Sequence, residues 1–576
     1  MDSQKADNQL NLALDLPENI REGSEELNLG FDKTTRTWEL IIRYVGDLDR
    51  ISEELDVQVT RLFNNYAIIV IEEALIPKLE QFEEVIFIEK PKMLNFGVVN
   101  AIPASCIPPA QRPPYNLSGK GVTVAIIDSG IDYSHPDFRN ADGTTRIRYL
   151  WDQTIPGSPP PGYFNGTLYT REKINEALSM PTKPEQLKII PSTDLSGHGT
   201  HVAGICCGNG RASKGVNRGV AFESDMIVIK LGASVANSFP STVQLMEAIN
   251  YIVQVGLDLN IPIAINISFG NSYGAHAGNS LLESYIDSVA EIGRTSISIG
   301  TGNEGASGRH YQGTIVNEES YTIELSVAEG EQNLNVQLWS YPYDRFNLSI
   351  ISPQGKRIGP INRTLGSQQF ELENSTIYLY YGEPTPFSVA QEAFFVWIPN
   401  ETFITSGIWM FELTPIDIRV GNFYMWLPSG GATLQSNTKF VRPSVETTLT
   451  IPSTSDFPIS VGAYDSNTDS IAYFSGRGYT VNQQVKPDLV APGVDITSTS
   501  PGGGYSSMSG TSMATPFVTG SAALLMQWGV IENHDPYLYG NKVKAALITT
   551  ARPLRVYTDY PNQSLGFGAL CLRRID

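Results

Sequence analysis

Cysteine is scarce in this chain. Four occur in 576 residues, Cys106, Cys206, Cys207 and Cys571. Two are adjacent and the others lie far off, a spacing that offers neither a disulfide framework nor a set of zinc ligands. The expectation is small buried side chains in a reducing compartment. Positive charge is also short. Lys plus Arg number 40 against 60 Asp plus Glu, a formal net charge of -20, which argues against nucleic acid and anionic membrane as partners. No apolar run approaches the roughly 18 residues of a membrane span. The N-terminus, MDSQKADNQLNLALDLPENIREG, has no basic start followed by an apolar stretch, so no Sec signal is visible and a chain retained in the cell is expected. Repeats and low-complexity tracts are lacking, apart from a short PGSPPPG loop at 156–162.

With 41% hydrophobic and 17% charged residues, the composition is globular, and the length suggests roughly two to four domains. Residues 1–34 are polar without a strong period and read as a loose arm. From 37 to 90, strands (TWELIIRYV, the stretch from Val57 to Phe63, YAIIVIE, EVIFIEK) alternate with short helices (DLDRISEEL, ALIPKLEQF), which suits a small open-faced α+β module. Residues 1–96 hold about twenty acidic and ten basic side chains, half of the net charge.

Near Gly119 the texture changes. GVTVAIIDSG, DMIVIKL, PIAINISFG and TSISIGTGN are buried-type apolar strands separated by helical stretches such as STVQLMEAINYIVQVG. That alternation implies an α/β fold with a parallel sheet flanked by helices. Functional groups in such a sheet collect at the carboxyl ends of strands, where Asp128, Ser268 and Asn303 fall. From about Tyr311 to Val445, seven short alternating segments, YTIELSV through NFYMWLP, suggest a β-sandwich or jelly roll. The parallel pattern then resumes, so the sandwich is an insertion. The divisions are 1–96, 97–310, 311–444 and 445–576.

Three segments carry chemistry: AIIDSGIDYSHPDF with Asp128, SGHGTHVAG with His198, and SGTSMATPFVTG with Ser512. Amide hydrolysis at neutral pH needs a hydroxyl activated by an imidazole and a carboxylate that fixes the imidazole tautomer. Ser512 enters a helix, where its backbone N–H favours negative charge. Asn303 brings a side-chain amide to a strand end and is a second donor to an oxyanion. Singly, each residue has an ordinary explanation. Asp128 or Ser512 could cap a helix, Asn303 could turn the chain, and His198 with His201 could be half of a metal site. Jointly, in one chain and in compatible order, these explanations are poor. The metal reading also lacks a third ligand at suitable spacing, so neither metal nor cofactor is expected.

The order Asp, His, Ser is that of subtilisin, and IIDSGID, GHGTHVAG, GNEG and GTSMATP resemble the four signature blocks of the subtilisin superfamily. The resemblance implies a serine endopeptidase acting on protein or peptide substrates. It implies that INISFG lines the specificity pocket, with Ser268 and Gly270 offering backbone groups to an extended peptide. Phe269 would wall the pocket on one side, and Gly300, Thr301 and Gly302 on another. Residues 37–96 resemble the subtilase propeptide, an intramolecular chaperone and inhibitor, so the chain's own cleaved propeptide is an expected partner, whether or not it stays bound. SGKGVTVAIIDSGIDYSHPDFRNADGTTRIRYLWDQT, GYFNGTLYTREKINEAL and GFGALCLRRID are similar to the clostridial spore-germination subtilases, the Csp group. That narrower resemblance implies limited proteolysis that activates a cortex-lytic hydrolase precursor, and a spore-associated location or release by lysis. Some members of the group are pseudoproteases that act as sensors; this chain keeps Asp128, His198, Ser512 and Asn303, which favours catalysis, with a broad degradative peptidase or a propeptide-blocked scaffold or sensor as the alternatives. The loop CCGNGRASKGVNRGVAFES lacks the Asn-rich segment of secreted subtilisins and has few carboxylates, so no strong calcium site is expected there. Self-cleavage is expected within Met93 to Asn100, at Phe96–Gly97.

Overall fold

The computed structural model describes residues 5–21, 23–92, 103–232, 240–429, 434–573 and 575. They fall into two compact units, one of Met1–Asn95, Asn271–Leu281 and Glu304–Thr448, the other of Phe96–Gly270, Leu282–Asn303 and Leu449–Asp576.

The second unit is built on a nine-stranded sheet. Its parallel centre runs Ile459–Asp465, Thr295–Gly300, Ile263–Ile267, Thr123–Asp128, Asp225–Lys230, Ile147–Asp152, with Leu489–Pro492 also parallel on the first of these. Short antiparallel strands, Ser470–Ile471 and Thr167–Thr170, close the two edges. Thr123–Asp128, Ile263–Ile267 and Thr295–Gly300 are buried at every position, as expected of strands covered on both faces. The first strand in sequence lies in the middle of the order, so the chain winds outward in both directions, and a crevice opens at the carboxyl ends beside it. Register fixes what lines that crevice. Ile127 is level with Ile267, and Ile267 with Ile299. Asp128, Ser268 and Gly300 therefore leave their strands in one transverse row.

The helices follow local signals. Ser241 and Gln244 form a capping box at the head of Thr242–Leu259, which ends at Asn260 in the left-handed region. The helix Thr511–Met526 is buried along its whole length. With its continuation to Ile531 it is long and apolar enough to cross a membrane, which the sequence reading overlooked; 83% of its most apolar window is buried inside the protein.

The cysteine expectation is corrected here. Cys106 and Cys571 form a disulfide across 465 residues of sequence, while Cys206 and Cys207 are free and buried. Sequence spacing could not show this pair, because it depends on the backbone meeting of Ser105 with Leu572, whose N–H donates to Ser105 O at 3.1 Å.

The first unit contains an α+β module and a sandwich. The module's sheet is antiparallel, in the order Phe31–Asp32, Thr37–Tyr44, Tyr66–Glu72, Gln58–Leu62, with Val85–Glu89 also on Thr37–Tyr44. The sandwich has a six-stranded and a five-stranded antiparallel sheet. The seven expected strands are present. The additional ones, His310–Thr314, Arg357–Ile361, Gly366–Leu372 and Lys439–Phe440, are edge or near-edge strands whose Gly, Pro and polar residues blur the alternation.

The first residues are not a loose arm. Asp7 caps a helix, Asn8–Asp15, by accepting from Leu10 N. Its polar sequence hides two small apolar faces. Leu10 and Ala13 join the core of the α+β module, whereas Leu12 and Leu16 pack with Tyr378, Tyr380, Phe394 and Val396 of the sandwich. A helix buried on two sides gives no clean one-sided stripe.

Candidate active site

Asp128 ends its strand fully buried. Its Oδ1 lies 2.7 Å from His198 Nδ1 and also accepts from Ser129 N at 2.7 Å. This contact assigns the proton to His198 Nδ1, which leaves Nε2 as the basic nitrogen. His198 is the first residue of the helix His198–Cys207. The next residue, Gly199, is required by close approach. A Cβ there would stand 2.2 Å from Gly130 O and 3.0 Å from Asp128 Cβ.

Ser512 is the second residue of its helix, where backbone N–H groups have no intrahelical acceptor. Its Oγ donates to Ser268 O at 3.3 Å, and Ser268 Oγ donates to Ser512 O at 3.2 Å. The His198 and Ser512 helices pack against each other, and their first turns meet Asp128 and Ser268 at the carboxyl ends of neighbouring strands. Asn303 accepts from Thr511 N at 3.1 Å and from Thr511 Oγ1 at 3.4 Å through Oδ1. Its carbonyl oxygen is thereby held on the Ser512 helix.

The two expected pocket walls, Ser268–Gly270 and Gly300–Gly302, both close on Thr450. A Cβ at Gly270 would stand 2.3 Å from Thr450 Oγ1, and one at Gly302, where φ is +80°, 2.4 Å from Thr450 Cγ2. Thr450 N also donates to Thr301 O at 2.9 Å. Phe269 is buried.

His201 does not join His198 in a metal site. Its Nε2 faces Ile496 O and Ser506 O at 3.0 and 3.1 Å, and burial pushes its pKa down to about 4. Among the described residues no group of three or more His, Cys, Asp and Glu side chains could hold a metal ion.

The profile described as the subtilase family matches residues 119–372 and 436–568, and that of the Csp protease B prodomain matches residues 4–92. The chain belongs to the subtilase family. Its structure superposes on that of the Clostridium perfringens CspB protease with a TM-score of 0.75 and 37% identity, covering 82% of this chain and 95% of that one. It is 25% identical to the PII-type proteinase of Lactococcus lactis subsp. cremoris over 76% of this chain, and 24% identical to the minor extracellular protease Vpr of Bacillus subtilis (strain 168) over 78%. The chain spans only 24% and 51% of the length of those two relatives. The fold is that of subtilisin, with a Csp-type prodomain at its N-terminal side.

Within this subtilase, two further residues support the crevice. Asp194, buried four residues before His198, accepts five hydrogen bonds: from Ser129 Oγ at 2.8 Å, Ser196 Oγ at 3.2 Å, Gly197 N at 3.0 Å, Thr200 N at 2.8 Å and Thr200 Oγ1 at 2.7 Å. It caps the His198 helix and ties it to the residue after Asp128. Asn266, fully buried in its strand, donates to Ser268 Oγ at 2.9 Å and accepts from Thr519 Oγ1 at 3.0 Å. A lone Asn inside the apolar run of INISFG was a legible signal, because a buried amide must find partners. Thr450 had no comparable signal, since its partners come from separate segments, and neither did the tie from Asp194 to Ser129, which spans 65 residues.

Proposed function

We propose that this subtilase is a serine endopeptidase in which Ser512 attacks the scissile carbonyl. The proton of Ser512 Oγ passes to His198 Nε2. Asp128 holds the opposite nitrogen and stabilises the imidazolium that results. Negative charge developing on the carbonyl oxygen is met by the Asn303 NH₂ and the Ser512 backbone N–H. His198 returns its proton to the departing amine, and water, activated by the same imidazole, then hydrolyses the acyl-enzyme. Ser268 and Gly270 offer backbone groups to the peptide, while Phe269 and the segment from Gly300 through Thr301 to Gly302 wall the specificity pocket. The observation that carries this reading is the 2.7 Å pairing of Asp128 with His198 on a helix packed against the helix that carries Ser512 in its first turn.

The physiological reading follows the likeness to CspB. The enzyme cleaves its own prodomain and then a protein precursor during spore germination. The prodomain stays attached after cleavage, because the helix Asn8–Asp15 is buried between the α+β module and the sandwich. The cleavage segment Met93 to Asn100 lies outside the described residues.

Two experiments test this. Purified parent protein should run as two fragments that co-elute, and Ser512→Ala as one full-length chain, with a loss on the order of 10⁶-fold in turnover. Normal processing by Ser512→Ala would remove the assignment. N-terminal sequencing of the larger fragment should give Gly97; a start outside residues 94–106 would refute the cleavage register.

A further inference from the structure

A cavity of about 60 Å³ lies in the first unit, where the start of the Asn8–Asp15 helix and the end of the Val85–Glu89 strand meet the sandwich. It exceeds by several fold the roughly 10–15 Å³ that one water requires. Its lining is unbalanced in charge. Among the described lining residues Asp7, Glu89, Glu383 and Glu392 stand with one cation, Lys92, and Lys92 pairs with Glu89 Oε2 at 2.8 Å. Two lining side chains also present acceptors with no donor. Gln9 is 2% exposed and Glu89 4%, and Gln9 Oε1 and Glu89 Oε1 are buried without hydrogen-bond partners. The Asn8 amide is already engaged, since Asn8 Nδ2 donates to Glu392 Oε2 at 2.7 Å. The remaining wall includes the rings of Phe87, Trp339 and Phe387.

We propose that this cavity binds a small organic cation, a primary ammonium carried on a short alkyl group. Unpartnered buried acceptors call for N–H donors. Excess carboxylate calls for positive charge. Aromatic walls accept both an alkyl group and a cation. Water would satisfy the acceptors but leave the charge unbalanced. A divalent metal would need several converging carboxylate oxygens, and no such group occurs among the described residues. Because the ligand would touch both the α+β module and the sandwich, its binding strengthens their attachment.

Protons compete with such a cation. Burial raises the pKa of Asp7 to about 6 and that of Glu392 to about 7. Glu89 adds to both shifts and Lys92 opposes them, with Lys90 also opposing the shift of Asp7. Affinity therefore rises as pH goes from 5.5 to 7.5.

Calorimetric titration of the full chain with methylammonium chloride, in amine-free buffer at constant ionic strength, tests the site. One saturable site is expected at pH 7.5, weakened at least tenfold at pH 5.5 and at least tenfold in Glu89→Gln. Glu383 is exposed at the rim, so Glu383→Gln keeps the fold and should weaken binding about threefold. The proposal is overturned if sodium chloride gives the same heats, if affinity falls as pH rises, or if Glu383→Gln and a folded Glu89→Gln both bind like the parent.

Discussion

In the proposed mechanism the buried 2.7 Å contact between Asp128 and His198 orients the imidazole, and one small residue guards it. Gly199 lets the start of the His198 helix press against Asp128 and Gly130 O. A methyl group there must push the helix away from the strand. Gly199→Ala should lower kcat by at least 100-fold, in line with the cost of displacing a catalytic group by about 1 Å, and should destabilise the fold by about 1–3 kcal/mol. Active-site titration of folded protein separates the two effects. Unchanged kcat would show that the helix yields elsewhere. Asp194 acts on the same contact from the other side, because its five donors come from Ser129, the residue after Asp128, from Ser196 and Gly197 just before the His198 helix, and from Thr200 in its first turn. Thr450 has a similar place between the two glycine-containing walls, so Thr450→Ala should change KM and substrate preference more than kcat, as steady-state kinetics on a peptide series would show.

Among the elements, the disulfide and the first helix have consequences of their own. Cys106 lies beyond the proposed cleavage segment, so self-processing leaves it in the larger fragment, tied to Cys571. A link across 465 residues restricts the unfolded chain strongly. Cys106→Ser should lower unfolding free energy by about 2–5 kcal/mol, seen as a lower melting temperature, and reductant should lower the parent to the same value. No difference between parent and variant would mean the bond does not form. The helix Asn8–Asp15 is the corresponding element in the other unit. Leu12 reaches the sandwich cluster while Leu10 reaches the core of the α+β module. Leu12→Ala should cost about 2–5 kcal/mol and speed release of the cleaved prodomain, measurable by the rate at which the smaller fragment separates on gel filtration.

For the whole molecule, pH brings opposing groups into play. Asp7 and Glu392 have raised pKa values, so their contribution to stability is complete below about pH 4 and is lost as pH rises through about 6 and 7. His201 and His310 are lowered to about 4 and 3 by burial, and their contribution is lost as pH falls below about 6.5. The two effects oppose each other in acid, so a melting curve of the parent alone is not diagnostic. A difference between variants is. Glu392→Gln keeps an acceptor for Asn8 Nδ2 but cannot ionise. In amine-free buffer it should match the parent at about pH 4 and exceed it at about pH 8 by on the order of 1–3 kcal/mol. An equal difference at both pH values would show that Glu392 does not titrate in this window.

Much of this protein was legible in its sequence because the signals are local. Apolar runs ending in Asp or Gly gave the parallel strands, alternation gave the sandwich, and the motifs around Asp128, His198, Ser512 and Asn303 gave the candidate chemistry and the family. Each of these depends on a few consecutive residues whose spacing follows from strand or helix geometry. The rest was decided by tertiary structure. Cys106 meets Cys571, Thr450 joins two walls, Asp194 ties a loop to a helix, and Leu12 and Leu10 divide one helix between two cores. In every case the partners are distant in sequence, or the residue serves two surfaces at once. A one-dimensional pattern records the period of a single face; it does not record which remote segment closes over it.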